Sequence, residues 1–174
     1  MGIWRFAVYL LLPYAIGNLI WRGLRYSEYW YRWPERFGFV TRLTGVRTLW
    51  VHAVSVGEVR SAAPLIGALV ERYPKHRVVV TTMTPTGSKQ VRDLFGDSVS
   101  HRYVPYDFPD AVRRFFDRVR PEVAVIAETE FWPNIFAECG RRRIPLLLVN
   151  GRVSQVLLRR YLGEQGFTVL VAGN

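Results

Sequence analysis

Residues 48–73 read TLWVHAVSVGEVRSAAPLIGALVERY. The first eight are apolar and rich in β-branched and aromatic side chains, without strict alternation, which is the pattern of a strand buried on both faces. The period then changes. Over 58–73, Val59, Ala62, Leu65, Ile66, Leu69 and Val70 recur at helical spacing, and Pro74 stops the run. Working outward, the same strand-then-helix unit repeats. Strand-like runs start at 76 (HRVVVTTMT), 99 (VSHRYVPY), 122 (EVAVIAET) and 144 (IPLLLVNG), with helix-length segments over 86–95, 110–118 and 131–142. Asp110 is the expected cap of the 110–118 helix, and TVLVA at 168–172 adds one more strand. Strands alternating with helices predict an α/β fold with a Rossmann-like parallel sheet and right-handed crossovers. Ligands of such sheets bind at the carboxyl ends of the strands, so chemistry is expected in the loops that follow each strand.

The composition narrows the classes. The chain has 174 residues, 49% of them apolar, enough to bury a core and to exclude general disorder. Its formal net charge is +10, which favours anionic partners. Cys139 is the only cysteine, and His52, His76 and His101 lack metal-ligand spacing, so neither an intrachain disulfide nor a metal site is expected. The arginines are scattered, Arg141-Arg142-Arg143 included, rather than gathered on one stripe. A basic nucleic-acid-binding module is therefore a secondary reading, and nucleic acid is not an expected partner.

The amino-terminal region divides into an expected membrane anchor at 1–22 and a basic, aromatic segment at 23–47, ahead of the α/β domain at 48–174. Residues 6–21 carry no charge, fall short of the ~20 needed to span a bilayer, and are broken by Pro13, Gly17 and Asn18. No small-residue cleavage site precedes Trp21, which argues against a signal peptide. A buried core helix competes with a membrane anchor that either spans or lies in the interface. Trp4, Tyr9, Tyr14 and Trp21 suit the headgroup boundary, and the arginines after the run put the rest of the chain on the cytoplasmic side. Arg22, Arg25, Arg32 and Arg36 are candidates for meeting lipid phosphates on an anionic membrane surface.

Four strand-end loops carry candidate residues. Ser55-Val56-Gly57-Glu58 has S-x-x-E spacing, and reads equally as a capping box or as an anion cradle at a helix start. Thr81-Thr82-Met83-Thr84-Pro85-Thr86-Gly87 offers hydroxyls and a glycine at a second helix start, although β-propensity explains the threonines as well. Tyr106-Asp107-Phe108-Pro109 reads as an ordinary turn. Glu128-Thr129-Glu130-Phe131-Trp132-Pro133-Asn134 sends two carboxylates, i and i+2, from a hydrophobic strand into an aromatic pair, and Arg152 after the fifth strand faces the same cleft. Glu35, between Pro34 and Arg36, reads by itself as a surface ion-pair residue. No Walker A or G-x-G-x-x-G fingerprint is present.

Taken together, these fragments resemble the 3-deoxy-D-manno-octulosonic acid (Kdo) transferase family. The resemblance runs from residue 35 to about 161 and rests on Glu35-Arg36-Phe37-Gly38, His52 to Glu58, Thr81 to Gly87, Tyr103 to Asp107, Glu128 to Asn134 and Asn150 to Ser154. It implies the N-terminal, acceptor-binding domain of an inverting GT-B glycosyltransferase. It also implies an inner-membrane enzyme on the cytoplasmic face that moves Kdo from CMP-Kdo to a lipid A precursor without a required metal or other cofactor. Glu35 is then the general base. Ser55, Gly57, Glu58, Thr82, Thr84, Thr86, Gly87, Glu128, Glu130, Asn134 and Arg152 are the substrate-binding candidates. The family is longer than this chain, and its second domain carries most of the CMP-Kdo site, so the chain alone is not expected to transfer Kdo. A membrane-anchored scaffold that binds acidic lipid is the alternative.

Overall fold

The computed structural model describes residues 9–10, 12–127, 132–149 and 169–172. Six strands form one parallel sheet: β1 (Arg47–His52), β2 (His76–Thr82), β3 (Ser100–Tyr103), β4 (Pro121–Ala127), β5 (Leu146–Val149) and β6 (Val169–Ala172). Their order is β3-β2-β1-β4-β5-β6, and every adjacent pair is parallel. The order reverses between β1 and β4, so the topological switch point lies between the carboxyl ends of these two central strands. The Rossmann-like reading of the sequence is met, and the 168–172 run does form a strand.

α1 (Leu12–Arg25) precedes the sheet. α2 (Val56–Arg72), α3 (Pro85–Phe95), α4 (Pro109–Val119) and α5 (Pro133–Arg142) are crossovers between strands. Alternation within each strand splits the core into two layers. Trp50, Ile126, Leu146 and Leu148 pack with Phe115 and Phe116 of α4 and Ile135 of α5. On the other layer Val51, Val78, Val80 and Val125 pack with Val59 and Ile66 of α2 and Val91 of α3. Each such fully buried side chain stabilises the fold by roughly 1.5–3 kcal/mol.

Helix ends differ from expectation at α4. Phe108 is its N-cap and makes no side-chain cap bond, while Asp110 lies inside the first turn and accepts from the Tyr9 hydroxyl. α4 and α5 both end on an arginine in the left-handed region, Arg120 (φ 51°) and Arg143 (φ 57°).

No helix among the described residues is long and apolar enough to cross a membrane. α1 has apolar residues on two sides. Leu19 and Gly23 are buried, with Trp30 packed so closely on Gly23 that no Cβ fits there. On the opposite side Tyr14, Trp21 and Leu24 are 72%, 60% and 79% exposed. The 23–47 segment is folded onto the domain through two 3-10 helices, Ser27–Trp30 and Trp33–Phe37, and Val40 enters the core.

Candidate functional site

Glu35 sits in the second 3-10 helix, which closes on Gly38 at φ 79°. A Cβ at Gly38 would collide with the Ala111 carbonyl oxygen, so only glycine allows this close approach to α4. The turn is held against β3: the Tyr106 N–H donates to the Arg36 carbonyl oxygen at 2.7 Å. The Glu35 side chain is 12% exposed and its carboxylate is gripped by a fork, Arg32 Nε donating to Oε1 at 2.9 Å and Arg32 Nη2 to Oε2 at 2.8 Å. The Tyr103 N–H, at the carboxyl end of β3, donates to Oε2 at 2.8 Å. Each carboxylate oxygen has two lone pairs, so Oε1 keeps one for a proton.

Arg36 departs from its expected place. It is 2% exposed, lies 4.4 Å over the Tyr103 ring, and donates from Nη1 to the Met83 carbonyl oxygen at 2.9 Å. Its Nε and Nη2 have no partner. Burial lowers its pKa from the ordinary value, while Tyr106, Tyr103 and Tyr29 work the other way. An arginine so enclosed cannot reach a lipid headgroup. Arg32 is likewise turned to Glu35, whereas Arg22 and Arg25 remain exposed.

The Thr81–Gly87 loop lies beside Glu35. His101 links them: its Nδ1 is 3.1 Å from Arg32 Nη1 and its Nε2 is 2.9 Å from Thr82 Oγ1. Thr82 is fully buried, Thr84 Oγ1 caps α3 by accepting from the Gly87 N–H at 3.0 Å, and the Thr86 hydroxyl donates to Thr84 Oγ1 at 3.2 Å. Gly87 is buried, and a Cβ there would come within 3.1 Å of Thr82 Cβ. Thr82 and Gly87 therefore shape the loop rather than face a ligand. Thr86 is exposed and lines an open groove of about 460 Å³ with Ser27, Tyr31, Lys89, Arg92 and Tyr103. This groove is at the carboxyl edge, where Rossmann-like sheets bind ligands. A second one, of about 400 Å³, lies by the amino end of β2 at His76 and Arg77 and gathers no candidate residue.

At the end of β1 the capping box is realised. Ser55 Oγ accepts from the Glu58 N–H at 3.3 Å and donates to Glu58 Oε1 at 2.8 Å, and the Val54 N–H donates to Glu58 Oε2 at 2.6 Å. Both carboxylate oxygens of Glu58 thus hold the start of α2 together. Gly57 is exposed, with only Ser55 Oγ within 4 Å of a Cβ placed there. This loop touches the previous one, since the Met83 N–H donates to the Val54 carbonyl oxygen at 3.1 Å.

Asn134 has its side-chain nitrogen committed to the fold. Its side-chain Nδ2 donates to the Asp107 carbonyl oxygen at 2.6 Å, and Asp107 in turn accepts the backbone N–H groups of Asn134 and Ile135 at 2.9 and 3.0 Å. Asp107 is therefore the cap of α5, supplied from another loop. Burial pushes its carboxyl up to about 6, against the pull of those amides. The sequence held one signal for it: α5 opens Trp132-Pro133-Asn134 with no Ser, Thr or Asp at its own N-cap. Glu128, Glu130 and Arg152 lie outside the described residues, and so does any test of their convergence. At the switch point His52 is fully buried and its pKa falls to about 4 through desolvation, with Nδ1 2.9 Å from Thr81 Oγ1. Among the described residues no group of three or more His, Cys, Asp or Glu could hold a metal ion.

A parallel sheet of this order, with a polar, arginine-rich carboxyl edge, defines a Rossmann-like α/β domain. Comparison with known proteins takes this further. Residues 31–172 match the family model described as 3-deoxy-D-manno-octulosonic-acid transferase (kdotransferase), and the chain belongs to that family. The 3-deoxy-D-manno-octulosonic acid transferase of Haemophilus influenzae is 40% identical over 148 residues, covering 84% of this chain and 34% of the relative. That of Bordetella pertussis is 37% identical over 177 residues, covering 90% of this chain and 40% of the relative. The chain thus spans roughly a third to two fifths of the relatives it matches.

Proposed function

We propose that this chain forms the acceptor-side domain of an enzyme that transfers Kdo from CMP-Kdo to a lipid A precursor, with Glu35 as general base. Glu35 takes the proton of the acceptor hydroxyl on the free lone pair of Oε1 as the sugar oxygen attacks the anomeric carbon of Kdo, whose bond to the phosphate oxygen breaks so that CMP leaves with the electron pair. The observation that carries the reading is the position of Glu35: a carboxylate held by three N–H bonds at the carboxyl end of β3, wired through Arg32 and His101 to the loop that borders the groove. Thr86 and Thr84 border the acceptor, with Ser55 and Gly57 further along the same edge. No cofactor is needed for this step.

The exposed side of α1 supports attachment to an anionic membrane face. Tyr14, Trp21 and Leu24 form an apolar stripe opposite the side that packs on the protein, and Arg25 lies over the Trp21 and Tyr26 rings at 6.0 and 5.9 Å. That arrangement suits a helix lying in the interface of the inner membrane with its polar flank toward phosphates.

The test is a chimera in which this chain replaces the matching segment of the Haemophilus influenzae relative, assayed on membranes with CMP-Kdo and a lipid A precursor. Turnover by the chimera, lost by two orders of magnitude or more (~10²–10⁴-fold) in Glu35→Gln, supports the reading. Unchanged turnover in that variant overturns it. Vesicles with and without anionic lipid test α1: Trp21→Ser with Leu24→Ser is expected to release the chain from both.

A further inference from the structure

We propose that His101 is a positioning residue for Glu35, acting through Arg32; as a statement about catalysis this rests on the reading of Glu35 given above. Arg32 stands between the two. One side of its guanidinium forks onto Glu35, while Nη1 meets His101 Nδ1 at 3.1 Å and Nη2 donates to the His101 carbonyl oxygen at 2.7 Å.

The chemistry of the donors fixes the state of the ring. A guanidinium has no lone pair to offer, so His101 Nδ1 must accept and cannot carry a proton. The single hydrogen of the neutral ring is then on Nε2, which donates to Thr82 Oγ1 at 2.9 Å, and the Thr82 hydroxyl directs its own hydrogen to the Thr84 carbonyl oxygen at 3.3 Å. Ser88 Oγ, 3.3 Å from Nδ1, is the other neighbour of that nitrogen and itself accepts from Arg92 Nη1 at 2.6 Å. Burial, with Arg32, Arg92, Arg102 and Arg36 around it, drives the His101 pKa down to about 3, so the ring stays an acceptor through the physiological range.

The backbone points the same way. Arg32 is a non-glycine residue at φ 57°. Such a conformation is strained for a residue with a side chain and persists where surrounding contacts over-determine it. The contacts here are the two sides of the fork. His101 lies 69 residues away in sequence and is linked by hydrogen bonds to the Glu35 carboxylate through Arg32.

Two measurements on this chain test the assignment. Imidazole ¹⁵N spectra at neutral pH should show His101 with a bare Nδ1 and a protonated Nε2; an Nδ1–H tautomer or an imidazolium overturns it, and no variant is needed. Hydrogen exchange then reads Glu35 through the Tyr103 amide that its carboxylate accepts. His101→Asn, whose amide reaches the Nδ1 position, should keep exchange near wild type. His101→Gln, whose amide reaches the Nε2 position, should speed it about tenfold, the equivalent of one lost bond of ~1.4 kcal/mol. Equal exchange in both variants overturns the proposal. In the chimera, His101→Gln should lower kcat about tenfold with KM unchanged, and His101→Asn should restore it. A chimera indifferent to Glu35→Gln while the Tyr103 amide responds as stated would remove the base and leave the positioning intact.

Discussion

The middle and the β3 end of one sheet edge use carboxylates in opposite ways. At β1 and β4, Glu58 and Asp107 accept the N–H and hydroxyl groups that open α2 and α5. Their donors are neutral, and their work is to close helix ends. At β3, Glu35 opens no α-helix and meets a guanidinium. At Asp107 desolvation outweighs the pull of the amides and raises the carboxyl to about 6. Glu35 instead faces the Arg32 cation, in a half-buried place beside a groove. The shared feature, a carboxylate accepting backbone N–H groups, does not by itself distinguish structure from chemistry, and neither does a guanidinium partner, since Glu138 on α5 meets both Arg141 and Arg142.

The sharpest contrast comes from paired substitutions in the chimeric enzyme. Glu35→Gln should cost ~10²–10⁴-fold in kcat with little loss of stability. Glu58→Gln should do the reverse, lowering stability by about 1 kcal/mol with rate changes under tenfold, as lost caps do. Equal rate losses would erase the distinction.

Acid titration probes both places at once. His52 and His101 are buried neutral with pKa values near 4 and 3, below the unfolded value of about 6.5. The stability they contribute is complete above about 6.5 and is lost as pH falls toward those values, on the order of 3 kcal/mol for His52 and 5 kcal/mol for His101. Asp107 has the opposite sign: its pKa is raised, so its contribution is present below the unfolded value and lost as pH rises through about 6. Chemical denaturation from pH 7 to 4 should therefore show falling stability, and a steeper fall in Asp107→Asn.

Asp107→Ala removes the cap of α5 and leaves the Asn134 and Ile135 amides without it. A loss of about 2 kcal/mol near pH 4, shrinking toward neutral pH, is expected by thermal or denaturant unfolding. The smallest effect separates two glycines. Gly87→Ala must push on Thr82 and should cost roughly 1–2 kcal/mol. Gly57→Ala meets only Ser55 Oγ at 3.8 Å and should be neutral or stabilising by a few tenths of a kcal/mol.

Much of this architecture is legible in sequence because it is local. The switch from strand-like to helical spacing between Ser55 and Val59, and the S-x-x-E cap, involve neighbours a few positions apart. Glu35 and the Thr81–Gly87 loop were brought together by the family resemblance, and the geometry joins them through side chains that periodicity leaves silent. Arg32, His101 and Tyr103 escaped because their bonds cross 68 and 69 residues. Asp107 escaped because it caps a helix 27 residues later, and its own turn looks ordinary. Arg36 was misplaced for a related reason: a charged residue in a basic stretch reads as solvated unless the ring that covers it, Tyr103, is known.

The arginines that stop α4 and α5 carry one last implication. Glycine would relax the left-handed backbone at Arg120 and Arg143, yet a cation there sits at the negative pole of each helix. A positive charge placed at that pole is favoured by a few tenths of a kcal/mol (~0.3–1) at most, and mobile ions screen it. These two helix ends should therefore fray first as ionic strength climbs, making brine rather than heat the gentler tool for loosening this half of the molecule.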